Sequence, residues 1–160
     1  KRFKVTPVSP AMILMVQVVI YTIYSVASLV LLYIVSTLFF GFHLLGSLPA
    51  FLGGYILVML SIFSIGMMVG GISPNSQTAS VIASLLYFPM LIFSGATLPY
   101  EVMPSALQKI ADILPLTQGI KILKAASLGL PIENIFVPLI VMAVLAVICI
   151  GVSFRFFRWE

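Results

Sequence analysis

Acid–base, nucleophilic and metal chemistry all need ionisable side chains in groups, and this sequence offers few to group. Its 160 residues include one His (His43), one Cys (Cys149) and four acids: Glu101, Asp112, Glu133 and Glu160. A metal site takes several ligands, and no Cys or acid lies near His43 in the chain. His43 stands in the link "GFHLLGS" between apolar segments, so a polar interfacial residue is the better reading than a proton relay at membrane depth. Serines are common, but a Ser/His/Asp set needs a His beside both partners, and the only His is isolated. A phosphate loop, GxxxxGK[ST], is absent: Lys109 and Lys121 are followed by Ile, and Lys124 by Ala. The reading is therefore a non-enzyme, with no catalytic or metal-binding residues and no cofactor of its own. Energy for any work has to come from a partner or an ion gradient.

The rest of the composition says where such a chain sits. Hydrophobic residues make up 62% and charged residues 8%, against about 25% charged in soluble domains. That identifies an integral membrane protein. No signal peptide with a small-residue cleavage site opens it, and a start on Lys1 reads as part of a longer chain. Cys149 lies inside an apolar run, so no disulfide framework is expected.

A bilayer core about 30 Å thick takes about 20 apolar residues per helix, and four segments qualify. The first covers residues 11–40, follows Pro10 and is long enough to require tilt or an extension. Gly41, His43, Gly46 and Pro49 end it. The second covers 50–70 and stops at Gly70-Gly71. In "GGISPNSQ", Ser73 before Pro74 resembles an N-cap with proline at the first helical position. The third span covers 75–94, with Pro89 as a kink. The fourth covers 133–155, with Pro138 in its first turn, where a missing donor does little harm. Glu133 at its start reads as an acid favoured by the helix dipole rather than as a gate or substrate contact at the outer mouth.

Four spans put both ends on one side. Lys1, Arg2, Lys4, Arg155 and Arg158 flank that side, against Lys109, Lys121 and Lys124 on the other. The excess of basic residues places both ends in the cytoplasm. Between their end residues the spans carry no Asp, Glu, Lys or Arg, which argues against an ion-coupled carrier, since intramembrane charges mark ion pathways. It suits an amphipathic or lipid-like cargo. Gly66 and Gly70 make a GxxxG step that would let helices approach closely, within the subunit or across a dimer; ordinary glycine content is the alternative.

Residues 99–129 form the one long connection. Met103, Leu107, Ile110 and Leu114 recur at helical spacing, and Pro115 must end that helix or begin the next. A second helix fits 116–128, with a stripe of Leu116, Ile120, Leu123 and Ser127, and with Thr117, Lys121 and Lys124 opposite. Gly129 is its stop. Neither helix is long or apolar enough to span. The pair either lies flat on the outer leaflet or dips back into the membrane beside the spans, where protein or a water-filled cavity must surround it. The breakers Ser94-Gly95 and Pro99 favour the dip.

The opening "KRFKVTPVSP" resembles the cytoplasmic loop before the third span of type-2 ATP-binding-cassette (ABC) exporter permeases. The stretch "FSGATLPYEVMPSALQKIADILPLTQGIKILKAASLG" is similar to the same family's segment between the fifth and sixth spans, with Gly95, Pro99, Pro104 and Pro115 in the matching order. The resemblance covers essentially the whole chain. It implies the last four spans of a six-span, all-α membrane permease, with a re-entrant amphipathic hairpin before the last span. It also implies pairing with a second permease subunit, as a homo- or heterodimer, and with cytoplasmic ATPase subunits that carry ATP and magnesium. Lys1, Arg2, Phe3 and Lys4 would end the ATPase-coupling segment of residues 1–10. Gly95, Pro99, Pro104, Leu107, Ile110, Leu114, Pro115 and Thr117 would belong to an outer gate. The implied setting is a bacterial plasma membrane, and the implied activity is export of a hydrophobic drug or natural product, as in multidrug efflux. A lipid-linked glycan exporter and a non-transporting membrane anchor or sensor are the rival readings.

Overall fold

A computed structural model describes residues 10–131, 133 and 135–156. All of its regular elements are helices: α1 (Pro10–Phe40), α2 (Leu48–Ile72), α3 (Ser76–Phe93), a 3-10 turn (Tyr100–Val102), α4 (Ser105–Ile113), α5 (Pro115–Leu128) and α6 (Phe136–Phe156). Four of these, α1, α2, α3 and α6, contain stretches long and apolar enough to cross a membrane. The chain is a multi-pass, all-helical membrane protein.

The helix ends follow local chemistry. Gly41 closes α1 at φ +61, in the left-handed region that a Cβ disfavours, and Gly129 closes α5 at φ +70. Pro49 and Pro115 occupy the first turns of α2 and α5, where no backbone donor is lost. Pro138 stands in the first turn of α6 for the same reason. Between α2 and α3 the roles differ from the sequence expectation. Gly70-Gly71 do not stop α2, which runs on to Ile72, and Ser73 caps its C-terminus, with both its amide and its hydroxyl on the Val69 carbonyl. The N-cap of α3 is Asn75, whose side chain accepts from the Thr78 amide at 2.7 Å. Asn is at least as good an N-cap as Ser, and Asn75 stands three residues before the orphan Thr78 donor.

The molecule divides into two compact units between His43 and Leu44. In the first, α1 satisfies its own hydroxyls: Thr22 and Thr37 donate to carbonyls four residues back. Phe42 returns its amide to Ser36 and sets its ring edge-on to Tyr33.

The second unit is built on the pairing of α2 with α6, which share the most extensive helix contact in it. Two serines stitch the pair across the interface. The Ser61 hydroxyl, fully buried, lies 2.8 Å from the Leu57 carbonyl and 3.0 Å from the Met142 carbonyl, and the Ser153 hydroxyl donates to Met67 at 3.3 Å. Such interhelical bonds are worth about 0.6 kcal/mol each on average in a membrane. Val58, Ile122 and Met142 form the core, so α5 packs on the α2–α6 pair as a third partner. Among the described residues, no buried side-chain polar atom lacks a hydrogen-bond partner.

Candidate functional site

The unusual part of the second unit is the connection from α3 to α6, and small residues decide where it goes. Gly119 of α5 lies against Val58, so that a Cβ there would fall 2.8 Å from Val58 Cγ1. Gly54 of α2 receives Ile122, whose Cγ2 would stand 2.9 Å from a Cβ at Gly54. Near the other end of α5 a Cβ on Gly46 would collide with the Ala126 carbonyl. There the Leu45 and Gly46 amides both donate to the Ser127 carbonyl, at 3.0 and 3.1 Å. The Gly119 contact falls ten residues after Leu48, the first residue of α2, which is about 15 Å along that helix. The Gly46 contact falls before α2 begins. Thus α5 climbs along the first part of α2, from the level of Val58 at Gly119 to the level of the 44–47 link at Gly129.

The buried face of α5 consists of Pro115, Thr117, Gln118, Gly119, Ile122, Ala125 and Ala126. The expected stripe of Leu116, Ile120, Leu123 and Ser127 is only half buried. The helix is turned by about one position because glycine and alanine let the backbones approach, whereas the larger residues of the expected stripe would hold them apart. Thr117, expected on the polar face, is buried, and its hydroxyl lies 3.4 Å from the Phe93 carbonyl at the end of α3.

In α4 the burial is slight. Met103 and Ala111 are buried, Leu107 and Leu114 are half-buried, and Ile110 is 50% exposed. Ala111, one step round the helix, takes the packed position that the sequence pattern assigns to Ile110. Pro104 caps α4, its carbonyl accepting from Leu107 and Gln108. Pro99 leads into the 3-10 turn, and Gly95 turns the chain at φ +87. Gly66 and Gly70 line an open groove between α2 and α3, and a Cβ on either would meet nothing within 4 Å. The close helix contacts fall at Gly46, Gly54 and Gly119 instead. Lys1, Arg2, Phe3 and Lys4 lie outside the described residues.

Charged groups fasten the 3-10 turn and α4 to α5. The Lys121 ammonium sits 2.5 Å from Asp112 and 4.5 Å above the centre of the Tyr100 ring. The Tyr100 hydroxyl donates to the same carboxylate at 2.9 Å. Lys124 pairs with Glu101 at 2.6 Å. Gln118 donates to the Asp112 carbonyl, and Gln108 to the Tyr100 carbonyl at 3.1 Å. Partial burial pushes the Asp112 carboxyl up, but the Lys121 and Tyr100 hydrogen bonds outweigh it and hold the group below its usual value. The hydrogen bond from Lys124 lowers Glu101 in the same way. Burial and the neighbouring Asp112 raise the Tyr100 hydroxyl. Individual residue types give no hint of this cluster. Its only trace in the sequence is that both signs of charge occur in this segment, and the partners are too far apart along the chain for helical pairing rules to find them.

Residues 1–128 match the ABC-2 type transporter family. Nodulation protein J of Rhizobium leguminosarum bv. viciae is 33% identical over 99 residues, which is 62% of this chain and 38% of that protein. The inner membrane transport permease YhhJ of Escherichia coli is 30% identical over 80 residues, 50% of this chain and 21% of that protein. The chain thus matches well under half the length of these relatives. No solved structure is significantly similar. With four apolar helices of spanning length and a family match across 128 of its residues, the chain belongs to the ABC-2 type transporter membrane family.

Proposed function

We propose that the chain is the membrane-spanning part of an ATP-driven exporter, moving a hydrophobic or amphipathic compound outward on energy from a separate ATPase. The observation that carries this reading is the family match over residues 1–128. YhhJ is named a transport permease. In the proposed cycle, ATP closes the partner ATPases, the segment at Lys1–Lys4 moves with them, and the spans tilt to change access. A second permease subunit completes the pathway. Both ends of the segment face the cytoplasm, as the distribution of basic residues favours.

Residues 99–129 are the outer gate, folded back into the membrane. Two distances support the dip. The eighteen residues of α3 extend about 27 Å, short of the 30 Å hydrocarbon core, so the chain turns before reaching the far edge. The Gly119–Val58 contact lies about 15 Å along α2 from Leu48, which supports a start of α5 packed against protein at depth. Charge at that depth must face water or protein. That suits a gate beside a wet outer vestibule better than a helix pair lying in lipid. Spans free of Asp, Glu, Lys and Arg up to Arg155 suit a greasy cargo.

The test is purification of the full chain from native membranes. A nucleotide-hydrolysing ATPase is expected to accompany it, to be lost on Lys1→Ala, Arg2→Ala and Lys4→Ala together, and to drive export of hydrophobic dyes from vesicles. Failure to recover any ATPase with the intact chain rejects the exporter reading in favour of an anchor or sensor. ATP-driven export of a lipid-linked glycan with no dye export would keep the machine and change the cargo.

A further inference from the structure

We infer that the two halves of the hairpin are not mechanically equivalent: residues 95–114 form a flap that swings on a fixed α5, and the pairs Asp112–Lys121 and Glu101–Lys124 are the clasp that holds it shut. This rests on the gate reading above and names its moving part.

The fixed half is fixed by backbone proximity. α5 buries seven of its fourteen residues and meets α2 at glycines that leave no slack. Any tilt of α5 drives the Gly119 backbone into Val58 or the Ala126 carbonyl into Gly46. By contrast α4 buries Ala111 alone of its nine residues.

Both ends of the flap are built to turn. At one end Gly95 holds φ +87, and an added Cβ there would make only ordinary contact with Tyr100, at 3.8 Å from its Cβ. At the other, Leu114 is extended and belongs to neither helix, and Pro115 has no amide to carry helical bonding across the junction. Between the flap and α5 lies a cavity of about 240 Å³ lined by Ser94, Tyr100, Glu101, Thr117, Lys121 and Lys124. The flap is therefore held over a void at Tyr100 and Glu101 and is packed only at Met103 and Ala111.

Beside those two apolar anchors, polar and charged contacts join the flap to α5. Lys121 reaches Asp112 and the Tyr100 ring, Lys124 reaches Glu101, and Gln118 reaches the Asp112 carbonyl. The four paired side chains are between 35% and 63% exposed. Each such pair shifts an equilibrium by no more than about five-fold, and salt screens it. A clasp of that strength keeps a flap shut at rest and yields to a modest push from below.

Amide hydrogen exchange of the full chain, in lipid nanodiscs with its ATPase, tests this directly. Glu101→Gln with Asp112→Asn is expected to speed exchange across residues 100–113 by about two- to twenty-fold, leaving 116–128 protected. High salt should do the same to the unaltered chain, the swap Glu101→Lys with Lys124→Glu should restore protection, and Lys109→Met should change nothing. Unchanged exchange in 100–113, or an equal rise in 116–128, overturns the flap. Export assayed on the same variants separates the two ideas: loosened exchange with unaltered export would keep the flap and reject its role as a gate.

Discussion

Helices α4 and α5 are consecutive, both amphipathic and both charged, yet the structure treats them oppositely. The more strongly amphipathic of the two, α4, is the less buried. Its apolar side is made of large residues, and Ile113 and Ile110 stay exposed while only Ala111 is fully enclosed. Half of α5 is buried through Gly119, Ala125, Ala126 and Ile122. Amphipathicity says that a helix has two faces. The size of the side chains on the inward face says how near its neighbours can come.

This contrast can be broken from either side. Large effects belong to the glycine contacts of α5. Gly46→Ala puts a Cβ onto the Ala126 carbonyl, and Gly119→Leu wedges α5 from Val58. Each should cost about 1–3 kcal/mol or more, seen as a lower thermal midpoint of the purified protein, whereas Ile110→Leu on α4 should leave it unchanged. Ile122→Ala, which opens a void between α2 and α6 at the core, should cost about 2–5 kcal/mol. Ser61→Ala removes the stitch to Met142 and should cost about 0.6 kcal/mol, at most about 1.7. Smallest is the effect of pH on α4. Asp112 and Glu101 both titrate below their usual values. Their stabilisation is thus complete above the ordinary carboxylate pKa of about 4 and fades only as pH falls through the lowered values. Protection of residues 100–113 should hold steady from neutral pH to about 5 and decline only in stronger acid.

The sequence makes the helices legible because their punctuation is chemical. Pro115 has to break the helical run, Gly129 has to end a helix, and four long apolar runs have to lie in a membrane. Orientation about a helix axis is harder to read. Leu116, Ile120, Leu123 and Ser127 make a plausible stripe, but the buried one is chosen by Gly54 and Val58, more than fifty residues earlier. The Asp112–Lys121 and Glu101–Lys124 pairs are hidden for the same reason: they join elements across the break at Pro115, where no fixed spacing applies. Gly66 and Gly70 teach the converse, since a familiar spacing of glycines faces a groove while the closest backbone approaches occur at isolated ones.

The seat of α5 also has a history in time. Its floor is made by α2 and α6, whose serine stitches join residues 81 and 86 positions apart. As the chain leaves the ribosome, α2 inserts after α1, and α3, α4 and α5 follow with only half of their support present. Until α6 enters the bilayer, Ile122 and Gly119 have one wall instead of two, and Ser61 has no Met142 carbonyl to reach. The hairpin is thus a late-assembling piece, and the charges along 100–124 keep it soluble while it waits. A chain ended before residue 136 and released into the membrane should leave residues 100–124 open to protease.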